Sequence, residues 1–110
     1  ITGNVIKNNK QHGVYFYDNS SENIIRNNSI SANANALYIK TNNNIIAKNI
    51  IENNDTGVYL LSQARNNTLT QNIVRDNTVF GVYSKVPVTI KNSMRDNAFI
   101  ENDNDTYIRE

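Results

Sequence analysis

Four tripeptides recur along the chain at nearly constant intervals. Gly13-Val14-Tyr15, Ala36-Leu37-Tyr38, Gly57-Val58-Tyr59 and Gly81-Val82-Tyr83 start 23, 21 and 24 residues apart. Between them runs a faster rhythm, in which Asn recurs every five residues, in most cases with an aliphatic two places later: Asn23, Asn28, Asn33; Asn44, Asn49, Asn54; Asn67, Asn72, Asn77; Asn92, Asn97, Asn102. The opening stretch Asn4-Val5-Ile6-Lys7-Asn8-Asn9 is the same unit entered partway. A repeat this short cannot bury an apolar face by itself, so each copy must stack on its neighbours.

Stacking the copies by their Asn sorts the apolar residues into columns. One holds Ile6, Ile30, Ile51, Val74 and Met94, and another holds Ile25, Ile46 and Leu69. A third pairs Val14, Leu37, Val58 and Val82 with Phe16, Ile39 and Leu60. The apolar stretches span three or four residues between polar corners and show no 3.6-residue period, which excludes helical repeats. The pattern predicts an all-β fold, a right-handed single-stranded parallel β-helix of about five coils, with residues 1–110 as one domain. At the strand spacing of about 4.8 Å, such a stack is on the order of 24 Å long. The chain starts in mid-pattern at Ile1 and reads as a segment of a longer β-helix, with 98–110 as a degenerate terminal coil.

Composition enters through Asn, which supplies 23 of the 110 residues against four Gly and one Pro. Asn tolerates the left-handed backbone that sharp corners demand, and identical Asn side chains in successive coils can bond as a ladder. Asn-rich disorder is the competing reading, but its Asn would not alternate with Ile at fixed spacing. Pro87 falls where the rhythm calls for Asn, and Pro donates no ladder hydrogen bond, so a bulge is expected across Val86 to Ile90.

The remaining composition removes function classes. There is no Cys, so disulfides, thiolate zinc sites and cysteine nucleophiles are excluded. Apolar runs stay far below the roughly 20 residues of a membrane-crossing helix. Eleven Lys plus Arg against ten Asp plus Glu give a net charge of +1, which provides no drive toward nucleic acid.

Side chains alternate along a strand, so if Val14 and Phe16 point inward, Tyr15 and Tyr17 point outward. Extended to every coil, this predicts two exterior columns: Tyr15, Tyr38, Tyr59, Tyr83 and, beside it, Tyr17, Lys40, Leu61, Lys85. Tyr107-Ile108-Arg109 aligns as a fifth tripeptide, which would place Arg109 at the end of the first column. Amphipathic rings with cations beside them suit an acidic polysaccharide: rings stack on sugars and lysines meet carboxylates. The competing reading is that Tyr is a good strand former and that like residues stack for stability alone. His12, the single histidine, and Asp18 flank the first of these strands and form the one base and carboxylate pair near the face. Asp55, Asp76 and Asp96 would have to stack to hold Ca²⁺, and the glycine-rich nonapeptide of Ca²⁺-binding β-rolls is absent. No metal or other cofactor is expected.

The repeat Asn-x-Ile-x-x-Asn followed by Gly-Val-Tyr and a Ser/Asn corner resembles the β-helix repeats of mannuronan (alginate) C5-epimerases and of NosD-like periplasmic proteins. The resemblance implies an extracellular, periplasmic or cell-surface location, and an acidic polysaccharide, further coils of a parent β-helix or a protein as partner. It implies neither a nucleic-acid partner nor membrane insertion. In the epimerases an Asp-Pro-His triplet occupies the second to fourth residues after such a Gly. Here those places hold Tyr15-Phe16-Tyr17, and no other coil carries the triplet, so no catalytic residue is assigned. What the resemblance carries over is positional: Tyr15, Tyr17, Tyr38, Lys40, Tyr59, Tyr83 and Lys85 fall where the family's substrate groove runs. A structural or partner-binding β-helix without glycan activity is the alternative.

Overall fold

A computed structural model describes residues 1–86 and 92–108. Its strands stack in three parallel sheets. The first has the order β1 (Val5–Lys7), β4 (Ser29–Ser31), β7 (Ile50–Glu52), β10 (Ile73–Arg75), β13 (Ala98–Ile100). The second contains β2 (His12–Phe16), β5 (Asn35–Ile39), β8 (Thr56–Leu60), β11 (Phe80–Ser84) and β14 (Thr106–Ile108). The third contains β3 (Ile24–Arg26), β6 (Ile45–Ala47), β9 (Thr68–Thr70) and β12 (Ser93–Arg95). The chain visits the sheets in rotation, so the 14 strands among the described residues make four full coils and two strands of a fifth, slightly fewer than expected. The extents of 30 × 26 × 26 Å describe a stack about as wide as it is tall.

The core follows from strand length. In the three-residue strands of the first and third sheets the middle side chain points in, and Ile25, Ile46, Leu69 fill one wall while Ile30, Ile51 and Val74 fill another, all buried. The five-residue strands carry two inward residues, Val14, Leu37, Val58 and Val82 with Phe16, Ile39 and Leu60. One column needs correction. Met94 pairs with Leu69, and Phe99, not Met94, continues the line of Val74. The asparagines decide this, because Asn67 bonds to Asn92 and so places Ser93–Arg95 beneath Thr68–Thr70.

Asn does two jobs at adjacent positions. The ladder residues form three files: Asn23, Asn44, Asn67, Asn92; Asn4, Asn28, Asn49, Asn72, Asn97; and Asn9, Asn33, Asn54, Asn77, Asn102. After the first member of each file, each Oδ1 accepts both the backbone N–H and the Nδ2 of the Asn one coil earlier, as when Asn49 accepts from Asn28 at 3.0 and 3.1 Å. The Nδ2 groups also reach back to carbonyls of the preceding coil, as from Asn49 to Ile25 at 2.9 Å. No buried side-chain polar atom among the described residues lacks a partner. These ladder asparagines do not adopt the left-handed backbone; among the described residues, the one before each does. Asn8, Asn27, Asn43, Asn53 and Asn66 sit there with φ of 55–63°, but so do Glu22, Ala32, Lys48, Gln71, Asp76, Asp96 and Glu101. The ladder thus needs Asn for its amide, and the corner before it accepts several residues at a modest backbone cost.

The uneven repeat lengths have local causes. Between the long strand and the next ladder Asn, the first and third coils spend residues 17–22 and 61–66, whereas the second spends only 40–43. The third interval is longer by one more residue at Thr78-Val79, where the Val79 and Phe80 N–H groups both donate to the Asp55 carbonyl, at 2.8 and 3.2 Å. That is a bulge. The slip expected at Pro87 lies outside the described residues.

Candidate functional site

The second sheet builds the outward face. Parallel register sets Tyr15 beside Tyr38, Tyr38 beside Tyr59 and Tyr59 beside Tyr83. The column then continues to Tyr107, which pairs with Tyr83. Arg109, expected in that position, lies outside the described residues. The shift has a simple origin: Tyr follows the ladder Asn by five residues in Asn33 to Tyr38 and Asn54 to Tyr59, and Asn102 to Tyr107 repeats the interval. Counting from Asn102, which accepts from Asn77 at 2.8 Å, would have found the fifth tyrosine.

The rings lean on one another. Successive centroids are 5.3, 5.0, 4.9 and 5.0 Å apart from Tyr15 to Tyr107, and the Tyr38–Tyr59 and Tyr83–Tyr107 pairs are within 13° of parallel. Rings so close and so nearly parallel are stacked on one another. The interior tyrosines therefore spend their faces on each other and turn edges and phenol groups to solvent. Tyr15 and Tyr107 at the ends are about half exposed, as is Tyr17 beside the column.

Two flanks border the ladder. On one side the Lys40 ammonium lies 5.0 Å over the Tyr17 ring and the Lys85 ammonium 5.8 Å over Tyr59. The predicted column Tyr17, Lys40, Leu61, Lys85 is in register through main-chain bonds Lys40 to Phe16, Leu61 to Ile39 and Lys85 to Leu60. The other flank runs His12, Asn35, Thr56, Phe80. Its aromatic members pack edge-on or tilted against the tyrosines: His12 is 4.1 Å from Tyr38 and Phe80 is 4.9 Å from Tyr83.

His12 and Asp18 end on opposite flanks. The imidazole packs on Tyr15 and Tyr38, with Asn35 Nδ2 donating to its Nδ1 at 3.3 Å, so the neutral ring carries its proton on Nε2. Asp18 faces Lys40 and Gln63 across a surface hollow. The base and carboxylate pair suggested by the sequence is therefore not assembled. Partial burial holds the His12 pKa below its ordinary 6.5. The unfolded chain then binds the proton more readily, so this group's contribution to stability is complete above pH 6.5 and is lost as pH falls through the lower folded value. Urea midpoints at pH 7.5 and 5.5 should differ more for the wild type than for His12→Gln.

The three aspartates considered for Ca²⁺ fall in separate columns. Asp76 precedes Asn77 and Asp96 precedes Asn97, in different ladders, while Asp55 follows Asn54 and accepts from Thr78 at 3.2 Å. No group of three or more His, Cys, Asp or Glu among the described residues is placed to hold a metal ion.

Fold and face together define a parallel β-solenoid with an aromatic ladder along one wall. A family described as right handed beta helix region matches residues 1–108, and the chain belongs to that family. Neither the comparison with curated proteins nor that with solved structures finds a match.

Proposed function

We propose that this β-helix binds an acidic polysaccharide laid along the tyrosine and lysine face, in the manner of the non-catalytic coils of a mannuronan C5-epimerase or another polyuronate-modifying protein. Such a role fits an extracellular, periplasmic or cell-surface setting, with chemistry supplied by an Asp-Pro-His coil elsewhere. The observation that carries the reading is the pair of ammonium groups, Lys40 and Lys85, held over Tyr17 and Tyr59 with no carboxylate partner among the described residues. A long anionic chain would meet cations on one flank and a row of phenol groups from Tyr15, Tyr38, Tyr59 and Tyr83 in the centre. Binding by ring stacking is confined to Tyr15, Tyr17 and Tyr107, whose rings keep exposed area.

The test compares Tyr38→Ala/Tyr59→Ala with Tyr38→Phe/Tyr59→Phe in calorimetric titration against a uronan. The Ala pair should weaken binding about tenfold, a loss of roughly 1.4 kcal/mol. The Phe pair shows how much of that resides in the hydroxyls. Unchanged affinity in both would sink the reading. The near-parallel stacking of Tyr38 on Tyr59 favours one alternative, a structural or partner-binding scaffold whose ladder serves only the stack. That alternative predicts no affinity of the wild type for any glycan.

A further inference from the structure

The short second coil leaves a notch beside the lysine flank. Its corner spends only residues 40–43, two fewer than the corners above and below it, so the chain there falls short of its neighbours. The resulting open hollow has a volume of about 460 Å³. Asp18, Asn19 and Ser21 of the first coil form one wall, Lys40 and Asn42 of the second form the floor, and Gln63 of the third closes it.

The polar groups around this notch point outward by elimination. Gln63 Oε1 accepts from Ser62 and Asn42 Oδ1 accepts from the Arg65 N–H, and neither amide NH₂ group has an acceptor among the described residues. The single ion pair among the described residues is Arg75 with Glu52, so neither Lys40 nor Asp18 has a salt-bridge partner among them. Asp18 is held in the left-handed region at φ 51°, in the turn closed by the Ser20 N–H donating to the Tyr17 carbonyl at 3.2 Å. That turn places its carboxylate at the rim. One cation, several amide donors and one carboxylate acceptor match a ring that bears a carboxylate and neighbouring hydroxyls.

We propose that the notch is the subsite that seats one carboxylate-bearing sugar unit of the bound polymer, its carboxylate on Lys40 and its hydroxyls between Asp18 and the Asn42 and Gln63 amides. The inference rests on the polysaccharide reading and adds a location, a stoichiometry and a division of labour: Lys40 reads charge inside a pocket, whereas Lys85 meets the polymer on an open flank. The notch itself arises from a two-residue shortening of the repeat, so restoring the usual corner length should erase it.

The experiment titrates a uronic-acid oligosaccharide and its carboxyl-reduced counterpart into the wild type and four variants: Lys40→Ala, Asp18→Asn, Lys85→Ala, and an insertion of Gly-Ser between Thr41 and Asn42. Surface corners tolerate such insertions, and far-UV circular dichroism with urea melts verifies each variant's fold. Lys40→Ala and the insertion should each weaken oligosaccharide binding at least tenfold, Asp18→Asn severalfold and Lys85→Ala less than threefold. Carboxyl reduction should cost the wild type at least as much as Lys40→Ala and cost that variant less than threefold further. Wild-type binding that survives Lys40→Ala and the insertion overturns the notch while leaving the polysaccharide reading standing. Absence of any wild-type binding overturns both.

Discussion

Replacing Asn49 by Ala is expected to destabilise the fold by about 3 to 5 kcal/mol, a large share of the 5–15 kcal/mol that holds a typical domain together. The Asn49 amide accepts from the backbone and side chain of Asn28, and donates to Ile25 of the coil before and to Asn72 of the coil after. Removing it orphans the buried Asn28 N–H outright and takes a partner from three other groups, at a site closed to solvent by the surrounding coils. Each buried polar group left unpaired costs about 1–3 kcal/mol. The adjacent corner provides the contrast. Asn53→Ala changes a left-handed residue whose amide is outside the ladders, and Ala32 already occupies the same kind of corner at φ 56°. Its cost should be about 1 kcal/mol. Urea denaturation followed by circular dichroism measures both, and equal costs would contradict the division of labour between ladder and corner.

Gly57→Val should be nearly as damaging, at about 3 kcal/mol, through overpacking. A Cβ at Gly57 would stand 2.5 Å from the Gly81 carbonyl oxygen of the next coil, 3.1 Å from Ile51 Cγ2 and 3.3 Å from Asn77 Nδ2. The first neighbour is backbone and belongs to a sheet strand, so relief requires the coils to move apart. Ala36 holds the equivalent position of the second coil and is fully buried, so the stack can yield enough for one methyl group. Gly57→Ala should therefore cost about 1 kcal/mol, while two further methyls have nowhere to go. The comparison is read as the shift in urea midpoint between the two variants. A Val variant as stable as the Ala variant would show that adjacent coils separate more easily than main-chain hydrogen bonding suggests.

Much of this architecture is legible in the residues because period and burial are tied together. An aliphatic two places after Asn23, Asn28, Asn44 and Asn49 can serve only one purpose in a stacked repeat, and Ile25, Ile30, Ile46 and Ile51 all face the core. The outward set was legible for the same reason: alternation from Val58 to Leu60 leaves Tyr59 outside. Legibility fails where two alignments compete. The Asn-Asp-Thr motif at 104–106 resembles the one at 54–56, yet the coil follows Asn102, because an Asn in the file accepts two N–H groups from Asn77 and the motif match provides no such bonds. Met94 went to the wrong column through the same ambiguity, settled by Asn92.

The sequence by itself determined that the chain is a stack of coils, which residues fill its interior and which wall carries the tyrosines, because the apolar residues recur at the one spacing that lets each coil cover the next. Tertiary structure decided what those outward residues are free to do. The tyrosine rings turn toward one another, His12 and Asp18 separate onto opposite flanks, and a corner two residues short opens a notch beside Lys40. All three depend on contacts between coils more than twenty residues apart, where ring packing and hydrogen bonding choose among arrangements that the local spacing leaves equal.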